Sequence, residues 1–169
     1  MLFRQLFERE SSTYSYLLAR RTGAEALLID PVKSEIGKYL QLIDELDLRL
    51  VFAIDTHVHA DHVTGLRGLR DATGCATLMG EQTRATCVSR KVRDNELIKV
   101  DGLELTALYT PGHTDDSYSF SMSDRVFTGD TLLIRGTGRT DFQNGDPQAQ
   151  YDSLFGRLLG LPTETLVYP

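Results

Sequence analysis

The sequence predicts an α/β layered fold in which helices cover a sheet, and three observations carry that expectation. An amphipathic stretch from Lys33 to Leu48 runs straight into an apolar run, Leu48 to Ile54, interrupted at Arg49. Apolar segments joined by short turns recur on both sides of this unit, as hairpins require. A further helix with its own start and stop signals follows at Asp146 to Leu159. Helices alternating with buried strands are what a sheet acquires when another layer covers it.

Taken in order, Tyr14 to Ala19, the turn RRTG and Glu25 to Ile29 read as a β-hairpin, ended by Asp30-Pro31. In the stretch that follows, Ile36, Tyr39, Leu40, Ile43 and Leu46 fall at steps of three and four, the spacing of one helix face. Leu48 to Ile54 reads as a strand buried on both faces, and Leu66 to Asp71 as a short helix. A second half begins near Asn95. Glu96 to Val100, the turn Asp101-Gly102 and Leu103 to Thr110 form a second hairpin; Ser117 to Met122 and Arg125 to Thr128 are joined through Ser123-Asp124. The helix from Asp146 has that aspartate as N-cap and Pro147 at its first position, with Tyr151, Leu154, Phe155, Leu158 and Leu159 as its expected inner stripe. Gly160 and Pro162 stop it, and TLVYP is a last strand. No linker, low-complexity tract or short-period repeat interrupts the chain, which reads as a single domain over 1–169.

Composition narrows the function classes. A chain of 169 residues with 41% hydrophobic and 25% charged content is large enough to bury one core. A net charge of -6, with no local Lys/Arg cluster, repels a phosphate backbone and argues against nucleic acid. No apolar run approaches the roughly 18 residues of a membrane span, and MLFRQLFERE lacks the apolar core of a secretory signal. The expectation is a cytoplasmic protein with no membrane partner. Cys75 and Cys87 fit neither a disulfide framework nor a zinc-ribbon spacing and read as two reduced thiols without an assigned role.

The chemistry is concentrated in the histidines. Of four, His57, His59 and His62 fall within six residues in THVHADH, just after the strand ending at Ile54. The fourth, His113, sits in TPGHT beyond the strand Leu103 to Thr110, and Asp130 sits in TGDTL beyond Arg125 to Thr128. Imidazole is the commonest metal-ligating side chain, and three segments that each follow a strand's carboxyl end can converge on one cavity. Any one of these residues has a plain alternative: Asp61 as a helix N-cap ahead of Leu66, Asp130 as a turn residue. Their convergence favours a metal site.

THVHADH, TPGHT and TGDT resemble, in order, the metal motifs of the metallo-β-lactamase superfamily. LLIRGTGRTDFQ, from Leu132 to Gln143, and the opening FRQLFERESSTYSYLLA, from Phe3 to Ala19, are similar to the ETHE1-type persulfide dioxygenases of that superfamily. The resemblance implies an αββα sandwich lacking the C-terminal part of the fold, since the family continues past the VYP strand. It implies one Fe(II) per chain on His57, His113 and Asp130, with His59, Asp61 and His62 orienting those ligands by hydrogen bonds. The implied reaction takes glutathione persulfide and dioxygen to sulfite and glutathione, and a homodimer is compatible with it. Arg139 and Arg135 are candidates for the carboxylates of a glutathione moiety, against the plainer reading of an Arg139–Asp141 ion pair. Tyr168, at a strand's carboxyl end, is a further candidate for the pocket. Where the family reads RGCGRTDF, this chain has Thr137 in place of the cysteine, so no role of that thiol carries over.

Two rivals stay open at this point. A dinuclear zinc thioester hydrolase of glyoxalase II type would use His57, His59, His113 and Asp130 for one metal and Asp61, His62 and Asp130 for another. A non-catalytic metal-binding module is the other.

Overall fold

The computed structural model describes residues 1–86 and 88–169. Cys87 lies outside the described residues. Among the described residues, eleven strands form two sheets. The first contains β1 (Leu2–Phe7), β2 (Tyr14–Ala19), β3 (Glu25–Ile29), β4 (Arg49–Ile54), β5 (Ala76–Gly80) and β6 (Arg90–Val92), in that spatial order. The second contains β7 (Leu97–Val100), β8 (Leu103–Tyr109), β9 (Tyr118–Ser121), β10 (Arg125–Phe127) and β11 (Leu166–Tyr168), in the order β11-β10-β9-β8-β7. Three α-helices accompany them: α1 (Ile36–Glu45), α2 (Leu66–Thr73) and α3 (Pro147–Gly156).

Strand periodicity builds two cores from one sheet. Along β2 and β3, Tyr16, Leu18, Leu27 and Ile29 point toward the second sheet, where they meet Leu105, Ala107, Phe120 and Phe127. The alternate residues Leu17, Ala19, Ala26 and Leu28 point the other way, against Tyr39 and Ile43 of α1 and Leu66 and Leu69 of α2. Both faces of these central strands are therefore dry, which is why they read as unbroken apolar runs. The layers are helices, sheet, sheet, with α3 over the loops at one end.

The antiparallel hairpins β2–β3 and β7–β8 occupy the expected segments. β3 pairs in parallel with β4, and a parallel neighbour needs a crossover, which α1 supplies. The amphipathic stretch opens with a 3-10 turn at Lys33–Glu35, and its helix stops at Glu45; Asp47 then takes a φ of 53° and turns the chain into β4. Strands β5 and β6 were not foreseen. Both are short and join the sheet only through parallel pairing to distant segments, a tertiary relationship with no local signal.

One expectation is corrected and one alternative reading is set aside. Tyr151, Phe155 and Leu159 are 56%, 57% and 64% exposed, so they do not form the inner stripe of the last helix. Instead α3 buries Gln150 and Ser153, whose side chains donate to the backbone carbonyls of Thr131 and Pro111. The helix covers polar loop backbone, not the apolar sheet face, so its buried side must supply donors. Its start is as expected: Asp146 accepts from the amides of Gln148 and Ala149, with Pro147 behind it. Asp61 does not cap α2. The N-cap is Gly65, without a side-chain bond, and Asp61 is engaged elsewhere.

Candidate metal centre

Three loops leave the carboxyl ends of β4, β8 and β10 at the same end of the sandwich and bring His57, His113 and Asp130 together. One donor atom from each lies within 4.8 Å of the others. His113 Nε2 is 3.4 Å from Asp130 Oδ2, and the His57 and His113 rings meet edge-on with centroids 5.0 Å apart. Both histidines are buried.

Their hydrogen bonds test whether the group fits a metal. Thr56 donates its hydroxyl proton to Asp30 Oδ2 at 3.0 Å, which leaves its oxygen free to accept from His57 Nδ1 at 2.9 Å. His113 Nδ1 donates to the carbonyl of Arg139 at 2.8 Å. With a proton of each ring committed at Nδ1, Nε2 is the nitrogen left to ligate a divalent cation. Burial, together with the neighbouring His59, His113 and His62, holds His57 well below its usual pKa, so it is a neutral donor. Two imidazoles and a carboxylate fit a metal with coordination positions to spare.

Tight packing fixes this geometry. Gly129, at a φ of 48°, sits so close to Thr56 that an added Cβ would lie 2.5 Å from Thr56 Oγ1. At Gly138 the same atom would lie 2.7 Å from His113 Nδ1 and 2.4 Å from the carbonyl of Asp130.

His59, Asp61 and His62 form a second group, and Asp30, Asp55 and His59 a third. His59 Nε2 faces Asp30 Oδ1 at 3.2 Å, and its Nδ1 is 3.9 Å from Asp61 Oδ1. Burial pulls the pKa of His59 down, but the Asp30 hydrogen bond and the charges of Asp30, Asp55 and Asp61 outweigh it and push it up to about 9. Burial, with Asp30 and Asp116 nearby and only partly offset by His59, raises Asp55 to about 7. Asp61 is held near 2: burial opposes its charge, but the His62 hydrogen bond and the charges of His62 and His59 prevail. Burial, reinforced by Asp30 and Asp61 and partly offset by His113 and His59, raises Asp130.

Asp30 was read only as a hairpin terminator, yet it supports both His57, through Thr56, and His59 directly. It also accepts from the Thr56 amide at 2.7 Å. The one available signal was its place at a strand's carboxyl end, shared with the other site residues. Thr56, Thr13 and the Arg139 carbonyl were likewise missed, since nothing in their sequence context separates them from ordinary loop groups.

A cleft of about 430 Å³ opens beside the group, lined among others by Thr13, Tyr14, His59, Asp61, Asp130 and Ile134. Its volume falls in the range of small-molecule sites. Arg135, Arg139 and Tyr168 are not among its lining residues. The Arg139 guanidinium is exposed and paired with Asp141 at 2.7 and 3.0 Å, the plainer of the two readings above. Arg135 is exposed at a φ of 61°, and Thr137 is exposed beside it. The Tyr168 ring packs against Phe3, Tyr16 and Phe127, while its neighbour Pro169 reaches the cleft. Among the described residues no helix is long and apolar enough to cross a membrane.

Residues 9–86 and 88–169 match the model of the metallo-beta-lactamase superfamily. The mitochondrial persulfide dioxygenase ETHE1 of Bos taurus is 42% identical over all of this chain and 67% of its own length, and that of Homo sapiens is 42% identical with the same coverage. The crystal structure of ETHE1 from Myxococcus xanthus superposes with a TM-score of 0.97 at 51% identity, covering all of this chain and 75% of that one. The fold, the motif order and these likenesses agree: the chain belongs to the metallo-β-lactamase superfamily and, within it, to the family of the ETHE1 persulfide dioxygenases.

Proposed function

We propose that the chain is a mononuclear iron dioxygenase that converts glutathione persulfide, dioxygen and water into glutathione and sulfite. The observation that carries this reading is the unequal state of the histidines. His57 and His113 spend Nδ1 on Thr56 and the Arg139 carbonyl and share one donor group with Asp130, whereas His59 spends Nε2 on Asp30. A two-histidine, one-carboxylate set favours one redox-active ion over a zinc pair. When bound there, ferrous iron supplies open positions for the persulfide sulfur and dioxygen and the spin-allowed route by which a closed-shell sulfur compound reacts with triplet oxygen.

The chain's own residues position and insulate. Asp30 and Thr56 hold His57, and the Arg139 carbonyl holds His113. His59, charged between Asp30 and Asp61, places a positive group near Asp130 that favours the anionic form of that carboxyl and of a nearby persulfide. Leu133 and Ile134 give the cleft an apolar wall that limits water at the sulfur. Arg139 would receive a substrate carboxylate by exchanging Asp141 for it; both are exposed, so the exchange costs little. Arg135 is a weaker candidate for the same task, and Tyr168 contributes by seating Pro169 at the cleft.

The deciding experiment is metal analysis of the purified protein together with oxygen-electrode and sulfite measurements on glutathione persulfide. One iron per chain, with matched oxygen uptake and sulfite release, is expected. Two zincs with hydrolysis of S-lactoylglutathione would replace this reading with the dinuclear hydrolase, and full iron occupancy without oxygen uptake would reduce the chain to a metal-binding module.

A further inference from the structure

The loop between β1 and β2 reaches over the histidine cluster and ends in an unbroken series of polar contacts. Glu8 accepts from the amides of Glu10 and Ser11 and from the Ser11 hydroxyl, at 2.9, 2.8 and 2.7 Å. Ser11 Oγ lies 2.8 Å from Thr13 Oγ1, the two hydroxyls brought to one side by Ser12 at a φ of 59°. Thr13 Oγ1 is in turn 3.1 Å from Asp61 Oδ2 and 3.2 Å from His62 Nδ1, and those two atoms are 3.1 Å apart.

Two hydroxyl protons serve three oxygen contacts here: Ser11 to Glu8, Ser11 to Thr13, and Thr13 to Asp61. Whichever way they run, His62 Nδ1 faces a carboxylate oxygen that only accepts, so the ring proton belongs on Nδ1. The other nitrogen, Nε2, is buried and has no hydrogen-bond partner among the described residues. The His62 ring lies tilted against His59 with centroids 4.2 Å apart, and His59 tilted against His57 at 4.1 Å, so the orientation of His62 is passed through contact to the candidate ligand.

We infer that Thr13, backed by Ser11 and Glu8, is a positioning residue that holds the Asp61 carboxylate against His62 Nδ1 and so keeps that ring oriented with its proton on Nδ1. In its effect on turnover this rests on the dioxygenase reading; in its effect on the histidine it does not.

The test pairs ring-nitrogen NMR of the whole, histidine-labelled, metal-free chain with kinetics of the iron-loaded enzyme. In the wild type, His62 should carry its proton on Nδ1. Thr13→Val removes, at nearly constant volume, the hydroxyl that holds the half-exposed Asp61 against His62, and should yield a mixed or reversed tautomer, with kcat down about tenfold and KM changed less than about twofold. Thr13→Ser should restore both readouts. Ser11→Ala, one step further out, should shift the tautomer in the same direction and by less. A wild-type His62 protonated on Nε2 overturns the inference, as does an Nδ1 proton unmoved in Thr13→Val and Ser11→Ala alike. If the iron-loaded wild type consumes no oxygen, the dioxygenase reading fails while the NMR arm still decides the role of Thr13.

Discussion

His113 gives its Nδ1 proton to the backbone carbonyl of Arg139, at 2.8 Å, while the Arg139 side chain turns away to Asp141. The RTDF segment thus acts on the site first through its main chain, and a substitution that moves that backbone should matter more than one that trims the guanidinium. Gly138→Ala places a methyl group against His113 and the Asp130 carbonyl. It should lower metal content well below one per chain and cost about 1–3 kcal/mol of stability from overpacking. Metal analysis after gel filtration and a urea titration check this; Arg139→Ala, by contrast, should retain full metal.

Thr56 links Asp30 to His57, and its removal should be felt at the metal before it is felt by the fold. Thr56→Val should weaken metal affinity by about 10–100-fold, the usual scale for a group that orients a ligand. Competition against a chelator measures it. Gly129→Ala, which pushes on the same hydroxyl, should fall on the same side.

Substitution should separate ligands from their supports. His113→Ala and Asp130→Ala should abolish iron retention, whereas His59→Ala should keep iron and slow turnover. Equal iron loss in all three would point to a different ligand set.

Arg157, just past α3, ties that helix to the second sheet through Asp94, Asn95 and the carbonyl of Tyr109. Partial burial works against the charge of Asp94, but the Arg157 bond and the Tyr109 amide prevail and hold its pKa below the ordinary value. A carboxylate whose folded pKa is depressed contributes stability above the unfolded pKa and loses it as pH falls through the folded one. Arg157→Ala should therefore cost up to about 1 kcal/mol near neutrality, discounted for the exposure of the pair, and the difference from wild type should shrink as the solution is taken below the ordinary aspartate pKa. Denaturant titrations at several pH values read it directly.

The corrected face of α3 predicts a contrast. Tyr151→Ser or Phe155→Ser, on exposed positions, should change stability by no more than about 0.5 kcal/mol, while Leu28→Ala in the helix-facing core should cost about 2–5 kcal/mol. Thermal unfolding of the three variants separates them.

What was legible in advance was whatever repeats locally or clusters in the chain. The hairpins declared themselves through turn residues between apolar runs, α1 through its three-and-four spacing, and α3 through Asp146 and Pro147. His57, His59, His62, His113 and Asp130 stood out because scarce ligand types followed successive strand ends, and residue type with strand-end position is readable without coordinates. Their division into ligands and supports came only from the family resemblance, and the contacts behind it were not legible. That His57 and His113 spend Nδ1 while His59 leans on Asp30 through Nε2 depends on Thr56, Asp30 and a carbonyl at Arg139, groups brought from separate segments by parallel pairing and loop packing. The same holds for β5, β6 and the polar face of α3. Hydrophobic periodicity reports that a side is buried, but only the packed neighbour decides whether burial calls for an apolar side chain or a hydrogen-bond donor.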